Sequence, residues 1–237
     1  MKILNLLPVT ANVCSDEMAA YMNKFLEETT ETEVWQIKTG PYTIECEYDE
    51  ALAGPSVLEL CKKAEQEGFD AIFIDCFGDP CVKAARELVD IPVFGGFEPA
   101  THIALGLADR ICIVTVMSNV ISLMRGNLAK AHLNERVVNI RAVDIPVDQL
   151  GDHQRMVDAL IDQSIKAVEV DGAQAIVLGC TGFVGVAEEM KIGLMEKGYD
   201  IPVLEAAQSA MKMCEMYAKM GLKQSRLTYM KPPVHPE

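Results

Sequence analysis

Two cysteines in this 237-residue chain stand in matching surroundings. Asp70-Ala-Ile-Phe-Ile-Asp-Cys76-Phe-Gly78 and Gln174-Ala-Ile-Val-Leu-Gly-Cys180-Thr-Gly182 each run from an apolar, strand-like stretch into a cysteine, with a glycine two residues later. In open parallel sheets ligands bind beyond the carboxyl ends of the strands, which is where both thiols fall on this reading. The glycine lets the backbone turn tightly and offer N–H groups to an anion, and the start of a following helix adds positive potential. Such surroundings lower a thiol pKa from about 8.5 into a range of roughly 3.5–7.5, where a thiolate takes a proton and a thiol gives one near neutral pH. A thiolate and a thiol on opposite sides of a planar intermediate remove a proton from one face of a carbon acid and return one to the other. Backbone amides around Gly78 and Gly182 would serve the enolate as donors. The scheme needs an acidic C–H beside a carbonyl, and neither a cofactor nor a metal. Two other uses compete with it: packing, because free cysteine is among the most buried residue types, and a redox pair, although such pairs usually sit close in sequence as CxxC.

The elements that must hold these thiols follow from the hydrophobic pattern. Short apolar runs alternate with longer helical ones, the mark of a parallel α/β architecture. Strands are predicted at Lys2 to Pro8, Glu33 to Lys38, Ala71 to Asp75, Pro92 to Phe94, Arg110 to Val116, Val137 to Val143, Ala175 to Gly179 and Pro202 to Leu204, four per half. Helices are predicted at Ser15 to Glu28, Pro55 to Glu67, Pro80 to Leu88, Pro99 to Leu107, Val120 to Lys130, His153 to Val170, Val184 to Lys197 and Ala206 to Met220. Ser15 precedes an acidic first turn, Pro55, Pro80 and Pro99 suit a first helical position, and Gly68, Gly172, Gly198 and Gly221 suit helix ends. The repeat extends beyond the cysteines: Asp90-Ile-Pro-Val93 follows the first one's helix and Asp200-Ile-Pro-Val203 the second one's. The joint order of strand, Cys-x-Gly, helix and Asp-Ile-Pro-Val points to two related halves. Thr39 to Gly54 reads as the one long linker.

Composition narrows the field. Half of the residues are hydrophobic, enough for an ordinary core, and the net charge of −14 argues against a nucleic-acid surface and against anionic membranes. The first nine residues resemble a short secretory leader, but Asn5 and Pro8 break the apolar run, which fits a buried first strand better. No apolar run nears the ~20 residues needed to span a bilayer, so the expectation is a cytoplasmic protein with reduced thiols. Eight cysteines without a CxxC or a Cys/His cluster of zinc spacing argue against a metal site. Cys14, Cys61, Cys112 and Cys214 lie in apolar patterns and read as core. His102, His132 and His153 belong to no recognisable triad and read as packing or surface residues. Asp79 reads as a helix cap or a ligand contact, and Glu98 and Glu205 as helix-start charges. No cation lies close in sequence to either thiol, which leaves Arg110, Arg125 and Arg141 to approach from elsewhere.

Over nearly its whole length the chain resembles the aspartate/glutamate/hydantoin racemase superfamily, and within it the hydantoin and allantoin racemase branch. The residues that carry the resemblance are Ala-Ile-x-x-x-Cys76-Phe-Gly-Asp-Pro80, Ile-Val-Leu-Gly-Cys180-Thr-Gly182, Gly40-Pro-Tyr-Thr-Ile-Glu45, Tyr48-Asp-Glu-Ala-Leu-Ala53, Val114-Thr115, Gly221-Leu-Lys-Gln-Ser-Arg226 and Tyr229-Met-Lys-Pro-Pro233. The resemblance implies two pseudo-symmetric flavodoxin-like α/β subdomains, each with a mainly parallel four-stranded sheet, and an active site in the cleft between them. Residues 1–97 plus 206–237 would form the first subdomain and 98–205 the second. It further implies a cofactor-independent isomerase, a racemase or epimerase with catalytic Cys76 and Cys180, a small-molecule substrate, no nucleic-acid or membrane partner, and a homo-oligomer. Val9, Thr10, Ile44, Phe77, Gly78, Thr115, Thr181 and Gly182 would contact the substrate. The branch usually carries Asn-Pro-Asn-Thr after its first strand, where this chain has Leu7-Pro8-Val9-Thr10, so two amide side chains are missing. Phe77, Gly78, Asp79 and Gly182, Phe183, Val184 replace the polar neighbours usual in amino-acid racemases. They favour a flatter, less charged substrate such as a 5-substituted hydantoin or allantoin, unless the two phenylalanines are core. The alternatives are aspartate or glutamate racemisation or a related isomerisation on the same scaffold, or a non-catalytic small-molecule-binding relative. Decarboxylation fits less well, because that branch typically lacks the first cysteine.

Overall fold

A computed structural model describes residues 1–233; the last four residues assigned to the first subdomain, 234–237, lie outside the described residues. The chain forms two compact units. One comprises Met1–Ile44, Tyr48–Gly95 and the described residues from Ala210, and the other Glu45–Glu47 and Gly96–Ser209. In the first unit the strands are β1 (Lys2–Leu7), β2 (Glu31–Gln36), β3 (Ala71–Ile74) and β4 (Val93–Phe94), in the order β2-β1-β3-β4. In the second they are β5 (Ile111–Thr115), β6 (Val137–Ala142), β7 (Ala175–Leu178) and β8 (Val203–Glu205), in the order β6-β5-β7-β8. Every pairing is parallel. The two sheets therefore share one topology, the 2-1-3-4 order of a flavodoxin-like sheet, in which the connection reverses between the central strand and the third.

Among the described residues seven α-helices connect the strands and an eighth follows the last one: α1 (Ser15–Asn23), α2 (Glu47–Gln66), α3 (Val82–Leu88), α4 (Phe97–Leu105), α5 (Ile121–Ala131), α6 (His153–Glu169), α7 (Ala187–Glu196) and finally α8 (Ala206–Lys219). None of the described helices is long and apolar enough to cross a membrane. In the first unit Leu4 and Leu6 of β1 and Ile72 and Ile74 of β3 meet Ala53, Val57, Cys61 and Ala64 of α2 and Val82 and Ala85 of α3. Within α8, Cys214 brings its Sγ to 3.6 Å from the Ile72 carbonyl oxygen. In the second unit Cys112, Val114, Ile176 and Leu178 meet Met156, Val157 and Leu160 of α6 and Met190 of α7. Burial of both faces explains why the central strands read as continuous apolar runs rather than alternating ones.

All eight predicted strands form, with ends moved by two residues at most, and Gly68, Gly172, Gly198 and Gly221 end their helices with left-handed backbone. Three proline-marked helix starts are wrong. α2 begins at Glu47, so half of the expected linker is helical and Pro55 lies inside the helix. Pro55 is exposed, as is Ala51, whose carbonyl finds no N–H to accept from at Pro55. The signal that was missed is the acidic first turn of Glu47, Asp49 and Glu50, which complements the helix dipole. Pro99 is the third residue of α4, still among the N–H groups that find no partner within a helix. Pro80 precedes α3, whose N-cap is Cys81, a left-handed residue with no side-chain cap bond. Cys14 is exposed at the N-cap of α1 and is not part of the core, and Ser15 is the first helical residue.

Candidate active site

Cys76 and Cys180 occupy equivalent places, each two residues beyond the third strand of its sheet. The registers make the equivalence specific: Leu6 of β1 pairs with Ile74 of β3, and Val114 of β5 pairs with Leu178 of β7. One residue further on, the Asp75 N–H donates to the Leu6 carbonyl at 2.8 Å and the Gly179 N–H to the Val114 carbonyl at 2.7 Å. Both thiols thus lie at the carboxyl edge of a parallel sheet, beside the point where strand order reverses. Each is half-buried, and none of the eight cysteines forms a disulfide.

Around Cys180 the Gly182 N–H donates to the sulfur at 3.3 Å, and the Phe183 N–H to the Cys180 carbonyl at 3.2 Å. The absence of a side chain at position 182 keeps this turn uncrowded. A Cβ there would lie 3.1 Å from Leu150 Cδ1 and 3.4 Å from the Cys180 sulfur. Gly179 is pressed still harder against β5: its Cβ would fall 2.6 Å from Ile113 Cγ2 and 3.2 Å from the Val114 carbonyl oxygen. Thr115 is fully buried and donates its hydroxyl to the Gly179 carbonyl at 3.0 Å.

Around Cys76 the chain tightens through Phe77-Gly78-Asp79-Pro80-Cys81, with the Asp79 N–H directed at the Cys76 carbonyl at 3.4 Å and the Val82 N–H at the Asp79 carbonyl at 3.3 Å. Asp79 and Cys81 both have left-handed backbone. The Asp79 side chain covers Gly95, just past β4, where a Cβ would come within 2.1 Å of its Oδ1. The turn after β1 is held by backbone rather than by amide side chains of its own. The Thr10 N–H and hydroxyl both reach the Pro41 carbonyl, at 2.8 and 3.0 Å, and the Ala11 N–H reaches the Tyr42 carbonyl at 3.1 Å. Gln36, at the end of β2, adds its amide nitrogen to the Val9 and Ala11 carbonyls, at 2.9 and 2.5 Å. Gln36 was not foreseen as part of this turn; its position at the carboxyl end of the strand beside β1 is the clue.

Of the other expected contacts, Val9 is partly exposed, Ile44 packs against the first unit's core, Phe77 and Gly78 are buried, and Thr181 is partly exposed. Phe183 belongs to the second unit's core, so it is no argument for a flat ligand. Of the cations left to approach from elsewhere, Arg110 and Arg141 both donate to Asp171, Arg110 to its carbonyl at 3.0 Å and Arg141 to its carboxylate at 2.5 Å. Arg125 is exposed on α5, as are His102, His132 and His153 on or at the ends of their helices. Glu205 stands immediately before α8, and its carboxylate also accepts the Ala187 N–H at the start of α7 at 3.0 Å.

Four of the other six cysteines are set apart by their surroundings. Burial pushes the Cys61 and Cys112 thiols up to about 12 and raises Cys214 further. Burial and then the Glu50 carboxylate raise Cys81. All four are neutral thiols at physiological pH. Among the described residues no group of three or more His, Cys, Asp or Glu side chains is arranged to hold a metal ion.

Residues 6–214 match the family model described as Asp/Glu/Hydantoin racemase. The chain is 37% identical over 197 residues to a hydantoin racemase of Pseudomonas sp. (strain NS671), covering 83% of this chain and 77% of that one. Among solved structures, an allantoin racemase from Klebsiella pneumoniae superimposes with a TM-score of 0.90 at 31% identity, covering 99% of this chain and 94% of the other. An allantoin racemase from Pseudomonas fluorescens gives a TM-score of 0.92 at 25% identity, covering 100% and 99%.

Proposed function

Because the chain belongs to the Asp/Glu/hydantoin racemase family, we propose that it is a cofactor-independent racemase or epimerase that inverts the stereocentre of a cyclic ureide, such as a 5-substituted hydantoin or allantoin. Cys76 and Cys180 exchange the roles of base and acid with the hand of the substrate. The thiolate takes the proton from the carbon next to the carbonyl, the C–H electron pair passes into an enolate, and the opposite thiol protonates that carbon on its other face. One thiol ends protonated and the other ionised, so the next turnover runs in reverse or follows proton exchange with water. The observation that carries this reading is the register-equivalent placement of the two thiols, each two residues past the third strand of a 2-1-3-4 sheet. A packing role predicts no such equivalence.

Val9, Thr10, Ile44, Phe77, Gly78, Thr181 and Gly182 are the residues proposed to surround the ring. The Thr10 hydroxyl and N–H are already given to Pro41 and the Val9 carbonyl is taken by Gln36, so the contacts proposed for the first two fall to the Val9 N–H and the Thr10 carbonyl. The Gly182 N–H, which meets the Cys180 sulfur, favours the thiolate form of that residue. A likeness to both hydantoin and allantoin racemases supports the ring class without choosing its substituent. The test is a panel of enantiopure hydantoins, allantoin, aspartate and glutamate followed by loss of optical rotation. The cyclic ureides should lose rotation and the amino acids keep theirs. Racemisation of the amino acids alone, or binding without any loss of rotation, would overturn the reading.

A further inference from the structure

The structure holds the two thiols by different means. Gly179, immediately before Cys180, is gripped by β5 through both of its peptide groups: its N–H by the Val114 carbonyl at 2.7 Å and its carbonyl by the Thr115 hydroxyl at 3.0 Å. In the first unit the matching N–H contact, Asp75 to Leu6, is present. The residue in the register of Thr115, however, is Leu7, which has no hydroxyl, and Asp75 stands in place of Gly179. Leu7 therefore cannot supply the first unit with the hydroxyl latch that Thr115 supplies to the second.

We infer that Thr115 is a positioning residue for Cys180: its hydroxyl fixes the Gly179–Cys180 peptide plane and so keeps the thiol against the Gly182 N–H. The carbonyl of Gly179 and the N–H of Cys180 share one rigid plane, so fixing the carbonyl fixes the N–Cα bond of Cys180 and leaves only its φ and χ1 to aim the thiol. The sulfur then sits 3.3 Å from the Gly182 N–H, a donor that favours thiolate over thiol. Full burial of Thr115 shields this hydrogen bond from competing water. On β8, the strand paired with β7, the titratable group is Glu205. On the loop after β6 it is Asp144. Glu205 is occupied by the Ala187 N–H and Asp144 by the Ser118 N–H, at 3.0 and 3.1 Å. The inference rests on Cys180 being one of the two working thiols, but its test does not use turnover.

The test is peptide-resolved alkylation of the full chain by iodoacetamide over a range of pH, in Thr115→Val, Thr115→Ser and the unaltered protein. Thr115→Ser, which keeps the hydroxyl, should share the midpoint of the unaltered protein. Thr115→Val, which keeps the shape, should raise the Cys180 midpoint by about half a pH unit or more, a roughly threefold loss of thiolate on the acidic limb. The Cys76 midpoint in the same digests should not move. A valine profile that superimposes on the unaltered one, or a serine variant shifted as far as valine, would overturn the inference. Alkylation of buried Cys112 would reveal an unfolded valine variant, in which case Thr115→Ala is compared with Thr115→Ser by the same criterion. Failure of the racemase reading would appear only in the optical-rotation panel, so the two outcomes are separable.

Discussion

Gly179→Ala tests whether the close fit of β5 and β7 is what places Cys180. The added Cβ would lie 2.6 Å from Ile113 Cγ2 and 3.2 Å from both Thr115 Cβ and the Val114 carbonyl oxygen. Nothing flexible is available to yield. Ile113 and Thr115 are β-branched, fully buried and stiff at χ1, and the carbonyl is backbone already bonded to Gly179 itself. Overpacking of a filled core costs about 1–3 kcal/mol, which for a chain of this size lowers Tm by about 2–12 °C. Gly126→Ala is the matched control. Position 126 lies within α5 with no heavy atom within 4 Å of the new Cβ, so losing the freedom of a helical glycine should stabilise by about 0.5–1 kcal/mol. Thermal melting and urea denaturation of the two variants give the comparison. If Gly179→Ala melts with the unaltered protein while Gly126→Ala is stabilised as stated, the tight β5–β7 junction is not the reason a glycine precedes Cys180.

Two further outcomes concern the first unit. Arg226 donates to the Arg86 and Tyr229 carbonyls, each at 2.8 Å, and also to the Val89 carbonyl and the Asp90 carboxylate, strapping the tail across the end of α3. Arg226→Ala should cost about 1–3 kcal/mol, read as a lower urea midpoint with an unchanged slope; an unchanged midpoint would contradict the strap. Burial of the Glu215 carboxyl would raise its pKa. Hydrogen bonds from the Thr30 hydroxyl, the Glu27 N–H and Lys212 outweigh that and hold it down at about 2, against an ordinary 4.5. A depressed carboxylate contributes its stability above its unfolded pKa and loses it as pH falls through the folded one. About 3 kcal/mol should therefore disappear between about pH 4.5 and 2. Glu215→Gln should melt lower than the unaltered protein at pH 7 and converge with it toward pH 2, and parallel melting curves would refute this.

The sequence was most legible where burial is uniform. Ala71–Ile74 and Ala175–Leu178 are buried on both faces, so their runs of Ala, Ile, Val, Leu and Phe announce strands whatever packs on them. The pairing of Cys76 with Cys180 was legible for the same reason, because two like strands carry like endings. Helix starts were less so: a proline suits a first turn, yet Pro55 is tolerated mid-helix on a solvent-facing side. Contacts through space left little trace. Thr115, which reads as a ligand contact in one dimension, also holds Gly179 through its hydroxyl, Arg141 pairs with Asp171, and Phe183 is core. Cys14 lies in an apolar pattern that its exposed N-cap position does not honour.

The central claim is that each of the two thiols serves one face of the same carbon. It is tested most directly by incubating each enantiomer of a hydantoin in deuterium oxide with the unaltered protein, with Cys76→Ser and with Cys180→Ser. With the unaltered protein both enantiomers should gain deuterium at the stereocentre as they racemise, whereas each serine variant should lose racemisation. Full racemisation by either single variant would contradict the two-thiol account.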